Sequence, residues 1–225
     1  MANPLNNPAV PALPIAPETY KRSWGAATLN VLRLYFNQIK AMLDEIVRLA
    51  TIFNSGDYGY TIKFPHGAFS SQSTQTVIAP ATPTRITFDT EDYKYLTHYT
   101  AGNGITFEKA GRYNIQFSCQ LTNNDANEQD FDIWLRKNGS TAAYDIPDTA
   151  SVVTLPKPHG GNPGYHIIAA NFFVEVAAED FIEFWWAASD TQVQIEYLPA
   201  ITVPFDSPGA PSIVATVSFV SAIPA

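Results

Sequence analysis

Charge is scarce in this chain and leans acidic: 13 Lys and Arg stand against 21 Asp and Glu in 225 residues, a formal net charge of −8. A chain without clustered basic side chains is a poor match for a phosphate backbone, whose binding depends on displaced counterions, so nucleic acid is not expected as a partner. Cysteine is scarcer still. The single Cys119 excludes an intrachain disulfide. Its neighbours at alternate positions, Ile115, Phe117 and Leu121, predict a strand with the thiol turned into the core. No uncharged apolar run reaches the roughly 18 residues that a membrane-spanning helix requires, so no membrane partner is expected either. The opening Met-Ala-Asn-Pro has neither a basic region nor an apolar core, which predicts no signal peptide and a product soluble in the cytoplasm where it is made.

Signatures of catalysis and cofactor binding are also missing. The chain has no G-x-S-x-G elbow, phosphate-binding loop, H-E-x-x-H helix or paired C-x-x-C. His66, His98, His159 and His166 are scattered and read as loop or surface residues in preference to metal ligands. Glu179 and Asp180 are adjacent carboxylates suited to a turn and not to flanking one bond. The expectation is a protein without catalytic residues, cofactor or bound metal. The stretch 123–130 (Asn-Asn-Asp-Ala-Asn-Glu-Gln-Asp) offers oxygen ligands of the kind calcium takes, but lacks the glycine of an EF-hand loop; a solvated inter-strand loop is the plainer reading.

What is present is apolar and patterned. Hydrophobic residues make up 46% and aromatics 13%, which excludes disorder for the bulk of the chain. Residues 1–18 carry Pro4, Pro8, Pro11, Pro14 and Pro17 and predict an extended arm. Its apolar Leu5, Val10, Leu13 and Ile15, with Tyr20 just beyond, are candidate anchoring residues for a strap ordered on a partner. Residues 19–53 predict a helix: from Ser23 to Phe53 there is no proline, and Gly25 is the only glycine. Leu32, Ile39, Ile46 and Phe53 recur every seven residues, with Tyr35, Met42 and Leu49 between them, forming an a/d seam widened by Phe36, Leu43 and Ala50. Such a helix would either pack on its own domain or self-associate. With no second helix to pair with and bulky side chains at both seam positions, a trimer is expected, with Leu32, Tyr35, Ile39, Met42, Ile46, Leu49 and Phe53 at its interface.

A Gly-containing hinge over 54–66 leads into a region 67–225 that reads as β throughout. Segments 75–79, 84–88, 104–107, 112–121, 130–137, 165–176, 181–188, 192–197 and 212–220 have strand character, separated by turn signals such as Lys109-Ala110-Gly111 and Gly160-Gly161-Asn162-Pro163-Gly164. Asn138-Gly139 after a strand predicts a type I′ hairpin turn. Many short strands without a helical pattern indicate a β-sandwich. Of Trp185 and Trp186, a strand can turn only one into the core; the other is left for a subunit interface, the outer face or a sugar ring.

Several of these strands resemble those of the complement globular head and tumour-necrosis-factor superfamily. Gly111-Arg112-Tyr113-Asn114-Ile115-Gln116-Phe117 is similar to its G-x-Y-x-(I/F)-x-F strand, and Ile133-Trp134-Leu135-Arg136-Lys137-Asn138-Gly139 to the strand that follows. Phe172 to Val176, the turn Ala177-Ala178-Glu179-Asp180 and Phe181-Ile182-Glu183-Phe184 resemble its late hairpin. Gly67-Ala68-Phe69-Ser70 and Ser212 to Val220 match its opening and closing strands. The resemblance implies a ten-stranded jelly roll that assembles as a trimer above an N-terminal stalk. Collagen triplets and secretory features are absent here. The segment Leu13-Pro14-Ile15-Ala16-Pro17-Glu18-Thr19-Tyr20, followed by Leu34-Tyr35-Phe36 and Gln38, resembles the leading segment of many structural proteins of tailed bacteriophages, in which an arm docks on the particle and a head projects. The two resemblances imply a homotrimeric virion protein: a capsid decoration (cement) protein or head appendage, with the major capsid protein or a tail or portal-vertex protein as partner. The alternative is a short tail fibre whose head grips a host surface glycan or protein.

Overall fold

The computed structural model describes residues 22–52, 63–102 and 104–223, with side chains omitted at 22–27, 45 and 47–52. The chain divides into two units between Lys63 and Phe64. The expected arm over 1–18, with Leu5, Val10, Leu13 and Ile15, lies outside the described residues, as do Tyr20, Phe53 and most of the hinge.

The first unit contributes one helix, α1 (Arg22–Ile52), close to the span that its freedom from proline predicted. Its 31 residues extend for about 46 Å at a rise of about 1.5 Å each. Lys40 and Asp44, four residues apart and hence neighbours on the helix surface, pair at 2.6 Å. Among the helix residues whose side chains are described, none is buried.

The second unit is built from strands: β1 (His66–Ser71), β2 (Gln75–Thr76), β3 (Thr84–Arg85), β4 (Thr90–Tyr95), β5 (Thr97–Thr100), β6 (Gly104–Phe107), β7 (Gly111–Asn123), β8 (Gln129–Lys137), β9 (Ser151–Leu155), β10 (Gly164–Val176), β11 (Asp180–Ala188), β12 (Val193–Ile195) and β13 (Ile213–Ser221). These form two antiparallel sheets. In the first, β10, β7, β13, β1 and β4 lie side by side, and β12 continues the row beside the end of β7, carrying β2. In the second the order is β5, β6, β11, β8, β9, with β3 beside β11. The described residues hold thirteen strand segments where ten were expected, several of them only two or three residues long.

Alternation explains why the sheets face each other. Along β7, Tyr113, Ile115, Phe117, Cys119 and Leu121 are buried, while the residues between them point away. On β11 it is Ile182, Phe184, Trp186 and Ala188 that turn inward. The core is aromatic: the Phe184 ring meets Phe88 at 5.5 Å and Phe117 at 5.6 Å, and Phe107 meets Tyr113 at 4.6 Å, all edge to face. Burial, aided by the nearby Glu108 charge, pushes the Tyr113 hydroxyl up to about 12, and that hydroxyl donates to the Lys109 carbonyl at 2.9 Å. Cys119 is buried and free, its thiol pushed well above the usual range by burial alone.

Two local expectations change. A type I′ turn needs positive φ at both central residues, but only Asn138 has it (φ 62°), and the chain runs on through a short 3-10 turn, Ala142–Tyr144, before β9 pairs with β8. A Cβ at Gly139 would lie 2.3 Å from the Tyr144 ring as it stands, so a larger residue there would have to displace that exposed side chain. Strands β4, β5 and β9 were not anticipated. β4 (Thr-Glu-Asp-Tyr-Lys-Tyr) carries charges that edge exposure tolerates and is held by pairing with β1.

Candidate assembly surfaces

The outward face of the first sheet is made by the alternate residues that β7, β10 and β13 turn away from the core. Register places them in rows: Phe173, Asn114 and Ser218; then Asn171, Gln116 and Thr216; then Ala169, Ser118 and Val214. Ile167 stands beside Gln120, and Tyr165 beside Thr122. Beyond the terminal pair Arg112 and Glu175, which bond to each other, no Asp, Glu, Lys or Arg occurs in β7, β10 or β13. Ile167 and Phe173 are each more than 60% exposed, and Tyr165 is exposed as well. Such a face lacks the interspersed charge that keeps a solvent-facing sheet apart from its neighbours.

Polar satisfaction singles out the same surface. Four buried side-chain polar atoms have no hydrogen-bond partner among the described residues: Asn114 Oδ1, Thr122 Oγ1, Glu196 Oε2 and Trp186 Nε1. Asn114 and Thr122 belong to the outward rows of β7, and Glu196 follows β12 with its backbone N–H on the Gln120 carbonyl at 2.8 Å. Buried polar atoms are normally paired, so each of these is an exception.

The second sheet's outward face is the opposite case. Glu183 stands directly across from Arg136, and Trp185 across from Trp134. The Arg136 guanidinium lies over the Trp185 ring, 4.1 Å from its centre. Its Nε donates to Asp145 Oδ1 at 2.6 Å, an oxygen that also accepts Trp134 Nε1 at 2.8 Å. Glu183 takes Arg85 at 2.5 Å on one oxygen and Trp185 Nε1 at 3.0 Å on the other. Arg136 and Glu183 are thereby buried although they face away from the core. Of the tryptophan pair, Trp186 is the core residue and Trp185 the outward one, clamped by Arg136. Further along β8, burial and the like charge of Asp130 hold the Asp132 carboxyl above its ordinary range.

The oxygen-rich loop 123–130 turns its ligands on itself. Asn123 Oδ1 accepts the Asp125 N–H at 2.9 Å, and Asp125 Oδ1 accepts the Asn127 N–H at 2.9 Å and Gln129 Nε2 at 2.7 Å. Those donors, Asn127 first, hold the half-buried Asp125 carboxyl below its ordinary range. Among the described residues no group of three His, Cys, Asp or Glu lies close enough to hold a metal ion. Glu179 and Asp180 occupy a turn: Glu179 has φ 67°, and Asp180 Oδ2 accepts the Ala177 N–H at 2.8 Å.

On α1, the expected interface residues Leu32, Tyr35, Ile39 and Met42 are half-buried and Ile46 is exposed, while the Leu49 side chain and Phe53 fall outside the described set. The flanking stripe Leu29, Phe36 and Leu43 is more open still, each over half exposed. Sequence reasoning singled out this helix and not the sheet face, because the charge-free rows become one surface only once β7, β10 and β13 are paired in register.

No protein-family model and no curated protein matches the chain.

Proposed function

We propose that this chain is a non-catalytic structural protein of a tailed-phage particle: a homotrimer whose head is a jelly roll, anchored by its N-terminal arm as a capsid decoration protein or head appendage. The observation that carries the assembly half of this reading is the charge-free outward face of β7, β10 and β13, with its exposed Ile167 and Phe173 and its unpartnered Asn114 and Thr122. A second copy laid on that face would bury the exposed apolar side chains. The exposed apolar stripe of α1 supports the same reading for the first unit, where bulky seam residues with Ile at alternate turns favour three strands. A three-fold assembly suits a three-fold or quasi-three-fold position on an icosahedral shell. The viral half rests on the likeness of 13–38 to the leading segment of phage structural proteins.

The test is incorporation. Purified protein added to capsids that lack it should bind, and a version without residues 1–18 should remain oligomeric but fail to bind. Binding to host cells or lipopolysaccharide instead of capsids would replace this reading with that of a tail-fibre adhesin.

A further inference from the structure

The Asn138-Gly139 pair just past the end of β8 carries a chemistry beyond its place in the turn. An asparagine followed by glycine readily loses its side-chain amide. The Gly139 backbone nitrogen attacks Asn138 Cγ, ammonia leaves and a five-membered succinimide closes. Water then opens that ring to aspartate, or to isoaspartate, in which the main chain runs through the side-chain carbon. Glycine favours the attack because it has no Cβ to crowd the nitrogen and the widest choice of backbone angles. Asn138 is exposed, so water reaches the amide. The sequence holds one other Asn-Gly pair, 103–104.

The fold holds that amide away from its attacker. Both ends of the side chain are engaged by β11: Nδ2 donates to Asp180 Oδ1 at 2.7 Å, and Oδ1 accepts the Phe181 N–H at 2.9 Å. The Asn138 N–H donates in turn to the Phe181 carbonyl at 3.0 Å. With its oxygen and nitrogen both fixed on the neighbouring strand, Cγ cannot swing back onto the Gly139 nitrogen without giving up both bonds. Asp180 is itself held. Its Oδ2 accepts the Ala177 N–H at 2.8 Å and lies 3.7 Å from Lys137 Nζ, and its side chain is only 15% exposed. The turn needs a left-handed residue at 138 (φ 62°), a conformation that asparagine tolerates better than most, so the vulnerable pair and the turn come together.

We infer that Asn138 is a latent deamidation site gated by Asp180, and that its conversion unlatches the end of β8 from the start of β11. Conversion to aspartate leaves an oxygen that can still accept the Phe181 N–H, but removes the group that donates to Asp180 Oδ1. Two carboxylates then face each other where a charge-assisted bond had been, and like charges at that distance repel. Isoaspartate also adds a carbon to the main chain at a residue whose N–H belongs to the ladder. Because ammonia is lost, the change runs one way: each head keeps a record of its clamp having opened. None of this depends on the assembly reading above.

Mass-spectrometric peptide mapping of the full-length protein, aged at mildly alkaline pH, reads each amide separately. In the native wild type, Asn138 should lose its amide at least about tenfold more slowly than in urea, and Asp180→Ala should speed the native loss about tenfold by removing the charged acceptor. An unchanged Asn138 rate in an Asp180→Ala head that still melts cooperatively overturns the gate. Equal acceleration at Asn103 and Asn138 marks general loosening and overturns it too. Should Asp180→Ala fail to fold, the wild type decides alone: native loss as fast as loss in urea overturns the gate, and a slower native loss upholds it. Asn138→Asp tests the unlatching, and should lower the melting temperature of the head by roughly 3 °C. An unchanged melting temperature overturns that half.

Discussion

The two outward sheet faces of the β unit are made by the same alternation and end in opposite chemical states. On β8 and β11 the outward residues are Arg136, Glu183, Trp134 and Trp185, and their polar groups are satisfied within the chain, down to an Asp145 oxygen shared by two donors. On β7, β10 and β13 the outward residues are amides, hydroxyls, Ile, Phe and Tyr, with Asn114 Oδ1 and Thr122 Oγ1 left unpaired. Burying a charge away from a core is costly unless its partners are close at hand, and the first face has collected them. The second has no charge to satisfy and leaves an amide and a hydroxyl oxygen unpaired. Burial pattern alone does not separate the two faces; hydrogen-bond accounting does.

The contrast breaks most visibly at Glu183. Replacing it with Ala strips Arg85 and Trp185 Nε1 of their acceptor in a buried site, and should cost about 3 kcal/mol of head stability in urea titration while leaving the oligomer's mass unchanged. Ile167→Asp should do the reverse. The exposed side chain leaves the fold intact, but a charge on the bare face should shift the subunit–oligomer midpoint by at least about tenfold in sedimentation. Survival of the oligomer at unchanged midpoint would move assembly off this face.

Smaller effects sharpen the picture through pH. Burial works to raise Asp89, but hydrogen bonds from the Gln72 N–H, Thr90, Ser73 and Ser71 outweigh it and hold the carboxyl below its ordinary 3.8. A folded-state value below the unfolded one stabilises above the ordinary range and is lost as pH falls through the lowered value. Asp89→Asn should therefore destabilise the head slightly at pH 7, solvent screening at this exposed position keeping the cost to at most about 1 kcal/mol, and the gap to wild type should shrink as the pH drops below about 4. Asp132 has the opposite sign: burial and then Asp130 raise it, so its charged form opposes folding at neutral pH. Asp132→Asn should raise the melting temperature slightly, by about 1 °C at pH 7, with the gain fading once the wild-type carboxyl is protonated.

The sequence made the long elements legible. α1 is uninterrupted by proline, and β7, β8 and β11 show inward residues at every second place between short turns. The strand β6 falls where 104–107 predicted it. Short edge strands escaped, because β4 carries Glu91, Asp92 and Lys94 and because Ser-Val-Val-Thr-Leu in β9 is too brief to show a period. The two-stranded segment 198–210 escaped for another reason. Pro199, Pro204, Pro208 and Pro211 punctuate it as loop, whereas the backbone places its few ladder hydrogen bonds between them. As for assembly, the helix stripe can be counted off by sevens, but a face shared by residues near 116, 171 and 216 depends on pairings that no local pattern encodes.

One feature of β10 bears on how such a protein has to be made. Its thirteen residues pair with β7 along one side only, among the described residues, and alternate Tyr165, Ile167 and Phe173 outward. A long, nearly uncharged strand with an open flank is a template for misdirected polymerisation, since its idle amides and carbonyls accept any extended chain that arrives first. Overproduction of the protein should therefore yield insoluble material wherever that flank is left uncovered.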